Sequence, residues 1–218
     1  MNKYRYLREA INEIQRKDRE YVSVRHDLRA GKSVGPHFHP SVWEWAIFDS
    51  FGRAKVAVDF ENKLINDPIG VLVVNFPKGH IHGLKCLTDV SYLVVREGDD
   101  DTVYLNDVLK RKSSVEPKED PCGLLWELYN HKSLGIAYVE VTGTADEHKH
   151  RVMEEKYYVK KGRGKVVINN KALDVRKGDL IQIPQGSWHY LKKMKGNRLE
   201  VLVVTHPGYD PKDFILKS

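Results

Sequence analysis

Two kinds of hydrophobic pattern divide this chain. Between residues 4 and 20, Leu7, Ile11 and Ile14 recur four and three positions apart among Arg, Glu and Lys, with no Gly or Pro between them. That is the spacing of one apolar helix face, and it predicts an amphipathic helix covering a barrel end or a subunit interface. From Tyr21 the pattern changes. Short β-branched and aromatic runs follow one another: Tyr21-Val24, Trp43-Phe48, Ala54-Phe60, Gly70-Phe76 and Ser91-Arg96, split by Gly, Pro, Asp and Asn. The second half continues with Leu124-Tyr129, Gly135-Val141, Lys156-Val159, Leu180-Ile183 and Leu199-Thr205. Short strands without intervening helices predict an all-β chain built as closed barrels or jelly rolls. Residues 110–121 are polar, hold two prolines and have no apolar period, so they read as a linker. This predicts an N-terminal domain over 1–112 and a C-terminal one over 113–218.

Composition narrows the class. Of 218 residues, 41% are hydrophobic and 30% charged, which argues against both disorder and a membrane protein. The longest apolar run, Ile69-Val74, is too short to span a bilayer. The first residues lack the apolar core of a secretory signal. Cys86 and Cys122 lack metal-ligand spacing and read as reduced intracellular thiols, so a cytoplasmic location is expected. The net charge of +6 is spread among acids, with no basic helix and no aromatic platform on a basic strand. Nucleic acid is therefore not the expected partner. A small-molecule substrate is, and a basic entrance would suit an anionic one.

The chemistry concentrates between Glu147 and His189. His148 and His150 stand on alternate residues and project from one strand face. Glu155 is an odd number of positions further on, so a bend or bulge must intervene if it is to face them. Lys161-Gly162-Arg163-Gly164 and Gly178-Asp179 read as turns, as does Pro184-Gln185-Gly186, after which His189 opens a new strand. Three imidazoles and a carboxylate brought together from adjacent strands form a ligand set for a divalent transition metal. A second set occurs earlier: His37, His39, Glu44 and His82, with His80 as a neighbouring partner or alternative ligand. His148 follows His37 by 111 residues and His189 follows His82 by 107. That internal repeat implies two copies of one fold. Tyr157 shares the strand parity of Glu155 and should point inward, as a proton carrier, a substrate hydrogen-bond donor or a core filler. Glu154 is a rival ligand, and His206 reads as a loop histidine.

The two motifs resemble those of the cupin superfamily. Its first is Gly, about five residues, His-x-His, three or four residues, Glu, six residues, Gly; here Gly143, His148, His150, Glu155 and Gly162 follow it, with four residues rather than five after the first glycine. Glu155 rather than Glu154 leaves six residues before Gly162. The second, Gly-x5-Pro-x-Gly-x2-His, is matched by Gly178, Pro184, Gly186 and His189, with Lys193 where an asparagine is usual. The N-terminal copy is looser, with seven residues between Glu44 and Gly52 and six between Gly70 and Pro77. The resemblance implies a two-barrel cupin, or bicupin: two tandem jelly-roll β-barrels after a short N-terminal helix. It implies one or two divalent ions per chain, drawn from Fe, Mn, Ni, Co or Zn, with the N-terminal site either working or degenerate. The segment from Phe76 is similar to cupin nucleotide-deoxysugar epimerases, and the tail from His206 to small sugar-phosphate isomerase-like cupins. The implied function is a metal-dependent isomerase or epimerase acting on a sugar, a sugar phosphate or another small polar metabolite. The alternatives are an iron dioxygenase and a non-catalytic ligand-binding or sensing cupin. Pairing into a homodimer is implied by the same resemblance.

Overall fold

The computed structural model describes residues 21–48, 52–66 and 71–217, and the helix expected over 4–20 lies outside them. The chain forms two compact units, Met1–Leu105 and Asn106–Ser218. Both are β-structures, and every strand pairing among the described residues is antiparallel. The all-β jelly-roll expectation is met.

In the first unit the strands are β1 (Tyr21–Leu28), β2 (Ser33–Phe38), β3 (Glu44–Phe48), β4 (Arg53–Val58), β5 (Glu61–Asn66), β6 (Leu72–Phe76), β7 (His82–Cys86), β8 (Val90–Glu97) and β9 (Val103–Tyr104). They make two sheets, in the orders β1-β8-β3-β6 and β5-β4-β7-β2-β9. Alternate residues of β8, from Val90 to Val94, are buried. They join Ala46, Phe48, Val56, Phe76 and Leu84 in one core, as period-2 patterning requires. The strand signal was weak for β2, β5 and β7. β2 contains Gly35 and Pro36, and β5 is mostly polar.

The stretch read as a linker is structured. Helix α1 (Leu105–Lys110) and a single 3-10 turn (Arg111–Ser113) lead to β10 (Lys118–Asp120). The second unit continues with β11 (Gly123–His131), β12 (Leu134–Glu140), β13 (His148–His150), β14 (Glu154–Ile168), β15 (Lys171–Arg176), β16 (Leu180–Ile183), β17 (His189–Lys193), β18 (Leu199–His206) and β19 (Phe214–Leu216). Its sheet runs β10-β11-β12-β18-β14-β17-β13-β19, with β15 and β16 also on β14.

Strand β14 organises this unit, and here the expected turn at Lys161-Gly164 is corrected. The chain runs through those residues as strand, pairing first with β16 and β18 and then with β15 and β17. A register shift between Val159 and Lys161 gives the bend that lets one strand serve both ends. Gly162 sits there at φ +83°, and a Cβ on it would lie 1.6 Å from the Arg198 carbonyl oxygen. In the first unit the corresponding span includes β3 and β4, and the spacing from Glu44 to Gly52 is one residue longer. His206, expected in a loop, is instead the last residue of β18, and its Nδ1 donates to the Ser133 carbonyl at 3.2 Å.

Two glycine substitutions separate close approach from backbone conformation. Gly162→Ala is expected to cost on the order of 3 kcal/mol, because it combines a left-handed residue with a collision against fixed backbone. Gly186→Ala, at φ +76° in open space, is expected to cost only about 1 kcal/mol. Denaturant unfolding of the two variants checks the difference.

Candidate metal centres

Each cluster begins with two strands in a fixed register. His37 pairs directly with His82, and His148 with His189. Opposed residues on antiparallel strands share a face, and the ring centroids lie 4.3 Å apart in both units. The third imidazole follows two positions along the chain. His39 lies 5.4 Å from His82, and His150 lies 5.7 Å from His189. The carboxylates arrive from other strands, Glu44 from the start of β3 and Glu155 from the start of β14. In each group of four, one ligand atom per residue lies within 4.8 Å of the others, and all eight residues are buried. Glu154 is outside the group.

The parity conflict between His150 and Glu155 is resolved at Arg151–Met153, between β13 and β14. The Asp213 carboxylate accepts from all three amides there, at 2.8 to 3.1 Å. Burial would raise the Asp213 carboxyl, but these amide contacts outweigh it and hold the group below its ordinary range. The next residue, Phe214, opens β19, which pairs with β13, and its ring stacks on His148 at 4.5 Å. In the first unit β9 takes the corresponding place beside β2, with Tyr104 opposite His37. The sequence reading missed Asp213, Phe214 and both closing strands. Strands of two or three residues have no period to detect.

Four histidines are oriented in the same way. Nδ1 of His37, His82, His148 and His189 lies 2.8 to 2.9 Å from the carbonyl two residues earlier, at Gly35, His80, Asp146 and Ser187. A carbonyl can only accept, so Nδ1 carries the proton and Nε2 is left bare, the arrangement used to orient metal-binding imidazoles. His189 Nε2 then faces Glu155 Oε2 at 2.9 Å. His39 Nε2 faces Glu44 Oε2 at 3.0 Å. Among the described residues, neither Nε2 atom has a hydrogen-bond partner. Contacts this short between a ring nitrogen and a carboxylate oxygen call for a cation between them, a proton or a metal ion. Burial, reinforced by the paired imidazole, pushes the adjacent His37 and His148 down to about 4. Burial would raise Glu155, but His189, His150 and His148 outweigh it and hold the carboxyl at about 2. Glu44 likewise sits well below the carboxylate range, held there by His39 and His82. Both groups therefore fit a divalent ion with nitrogen and oxygen preference, and a hard, oxygen-seeking ion less well.

The two centres differ in what supports the carboxylate. Arg96 on β8 is opposite Glu44 and places Nε 3.0 Å from Oε2. In the second unit the residue opposite Glu155 on β18 is Thr205, and the supporting group is Tyr157, which donates to Glu155 Oε2 at 2.9 Å. Tyr157 points inward as expected. Burial, then the Glu155 charge, raises its pKa well above the ordinary value, so its hydroxyl stays protonated and donates to Glu155. His80 stands outside the cluster with Nδ1 2.6 Å from Asp59 Oδ2, and contributes to it through the carbonyl that orients His82. Each centre opens on a cavity. The first, about 370 Å³, is lined by His26, Arg96 and Tyr104 beside the ligands. The second, about 270 Å³, has the apolar walls Leu125, Val139, Leu191 and Val203.

Residues 135–205, from β12 through β18, match the family model described as Cupin domain. The second unit therefore carries a cupin domain. A stretch of 82 residues is 35% identical to an uncharacterised protein of Methanocaldococcus jannaschii, covering 38% of this chain and 66% of that protein. Among solved structures, Lactobacillus farciminis oxalate decarboxylase in a formate complex aligns at 19% identity over 91% of this chain and 80% of its own, with a TM-score of 0.45. The Streptomyces nucleoside dehydratase Pac13 aligns at 19% identity over 48% and 86%, with a TM-score of 0.44. Likenesses this loose bear on no detail of chemistry. No helix among the described residues of this chain is long and apolar enough to cross a membrane.

Acid should unfold the metal-free protein early. A histidine whose folded pKa is depressed contributes stability that is fully present above about 6.5 and is lost as pH falls towards the folded value. For His37 and His148 that window runs from about 6.5 down to about 4, a loss on the order of 3 kcal/mol per histidine by pH 4. Glu155 acts lower, its contribution disappearing between the ordinary carboxylate range and about 2. Denaturation midpoints of the metal-free chain should therefore drop between pH 7 and pH 4, and a flat profile would contradict the burial argument. Separately, Asp213→Ala should cost about 2 kcal/mol by orphaning the amides of residues 151–153. It should weaken metal uptake at the second centre more than at the first, as read by metal content per chain.

Proposed function

We propose that this protein is a metal-dependent enzyme acting on a small polar or anionic metabolite, with isomerisation or epimerisation as the reaction class. The observation that carries the proposal is the convergence, twice, of three imidazoles and one carboxylate at the wall of a cavity sized for a small metabolite. His37, His39, Glu44 and His82 would hold one ion, and His148, His150, Glu155 and His189 the other. When bound, such an ion polarises a coordinated substrate oxygen and lowers the pKa of a neighbouring C–H.

The chain's own residues supply the rest of the mechanism. Arg96 offsets the Glu44 charge and gives the first cavity a fixed guanidinium, which favours an anionic group in the substrate. His26 lines the same cavity without belonging to the ligand set, and it is the group placed to accept or return a proton. It stacks on Tyr92 at 5.3 Å, which fixes the plane of the ring. Burial, with smaller contributions from Cys86 and Glu44, pushes the Tyr92 hydroxyl well above its ordinary value, so it stays protonated. In the second cavity Tyr157 keeps Glu155 oriented.

Metal analysis of the full chain purified without chelators tests the reading. About two equivalents per chain are expected. His148→Ala and His189→Ala should each remove about one equivalent, and His37→Ala and His82→Ala the other. Iron as the resident metal would turn the assignment towards dioxygen chemistry. An absence of metal after reloading under reducing conditions would overturn the enzymatic reading altogether.

A further inference from the structure

The third imidazole of each centre lacks the contact that orients the other two. Nδ1 of His37, His82, His148 and His189 faces the carbonyl two residues earlier. His150 Nδ1 is buried with no hydrogen-bond partner among the described residues. His39 is served differently. Its Nδ1 is met by side chains of residues 98–102, the connection from β8, which carries Arg96, to β9, which pairs with Phe38.

Two acceptors face that nitrogen. Thr102 Oγ1 lies 3.4 Å away and gives its own proton to Asp100 Oδ1, so towards His39 it can only accept. Asp100 is in turn held by the Thr102 amide at 3.0 Å and by Arg96 Nη1 at 2.7 Å. Asp101 Oδ1 lies 3.3 Å from the same ring nitrogen. Its other oxygen, Oδ2, accepts from the Ser41 amide at 2.6 Å, two residues beyond His39. One carboxylate thus grips the chain just past His39 and reaches the ring as well. Oδ1 is buried and has no hydrogen-bond partner among the described residues, a state that costs stability until a donor turns to it. A proton on His39 Nδ1 serves both acceptors and leaves Nε2, 3.0 Å from Glu44 Oε2, for a metal ion.

We propose that Asp101 is a positioning residue of the first metal centre. It accepts a hydrogen bond from Nδ1 of His39, fixes the tautomer and aims Nε2 at the ion, with Thr102 in support. A bound cation makes the ring N–H a stronger donor, so metal binding and the Asp101 contact reinforce each other. At the second centre His150 has no such partner, and Asp213 is engaged by the amides of residues 151–153. The first centre therefore depends on a side chain with no counterpart at the second. This inference rests on the metal-binding reading above.

The test reads each centre alone in the full chain. His148→Ala with His189→Ala leaves the first centre, and His37→Ala with His82→Ala leaves the second. Cobalt(II) affinity is measured in each by competition with a chromogenic chelator. Asp101→Ala should weaken the first centre about ten- to a hundred-fold and leave the second unchanged, with Thr102→Val weakening the first by less. Asp101→Asn, which keeps the shape of the side chain, should act in the same direction and stands in if Asp101→Ala does not fold. Proton spectra of the cobalt-loaded first centre supply a readout that a merely structural role would not move. Shifted Nδ1–H signals are expected from His37, His39 and His82, and Asp101→Ala should speed solvent exchange of the His39 proton alone. The proposal is overturned if both Asp101 variants bind cobalt at the first centre as tightly as the wild type. It is equally overturned if both centres weaken together or if the His39 proton keeps its exchange rate. In those outcomes the metal reading survives; a wild-type first centre that takes up no cobalt would instead sink that reading, and the positioning role with it.

Discussion

The hydrogen bond from Nδ1 of a histidine to the carbonyl two residues before it is a small interaction, yet the geometry of both centres depends on it. It occurs at His37, His82, His148 and His189. It requires the preceding residues to bend so that a main-chain oxygen turns towards its own ring. In return it fixes the tautomer, aims Nε2 inward and leaves a buried lone pair facing a carboxylate. Burial, with the paired imidazole adding to it, depresses the pKa of His37 and His148, which keeps both rings neutral and able to ligate a metal ion. The surrounding barrel holds the four side chains of each centre on or beside three strands whose backbones are paired on both sides.

The supporting interactions show how one plan has been varied. In the first unit a guanidinium neutralises the ligand carboxylate, and the cavity beside it mixes polar and apolar walls. In the second, a phenol donates to the carboxylate, the walls are apolar and the acids lie among the other lining residues. A charged partner withdraws electron density from the ligand more strongly than a neutral donor does. The two centres should therefore differ in metal affinity and in the polarity of what enters, even though their ligand sets are the same in kind and register. Duplication of a fold does not by itself imply duplication of its chemistry.

Much of this was legible in the chain before any coordinates. The ligand residues were, because His-x-His on alternate positions, a carboxylate close behind and a later histidine after a Pro-x-Gly turn are local patterns, repeated at nearly constant offset. Strand β8, with its alternating burial, was legible for the same reason, and β18, buried along its whole length, as a continuous β-branched run. Less legible were β2, which contains Gly35 and Pro36, and β14, where glycines at 162 and 164 look like a turn. Gly162 is there because the Arg198 carbonyl approaches too closely for a side chain, a reason that lies some 36 residues away in sequence.

What the sequence determined by itself was therefore the ligand inventory, the β character and the repeat, since each depends on neighbours along the chain. Tertiary structure alone decided the rest. It brought Asp213 under the amides of residues 151–153, so that Glu155 could face histidines of the wrong parity. It placed Arg96 and Thr205 opposite the two carboxylates through strand register, and left one paired and the other not. Register and pairing are set by which strands the barrel makes adjacent. That is a property of the closed sheet, and no local run of residues records it.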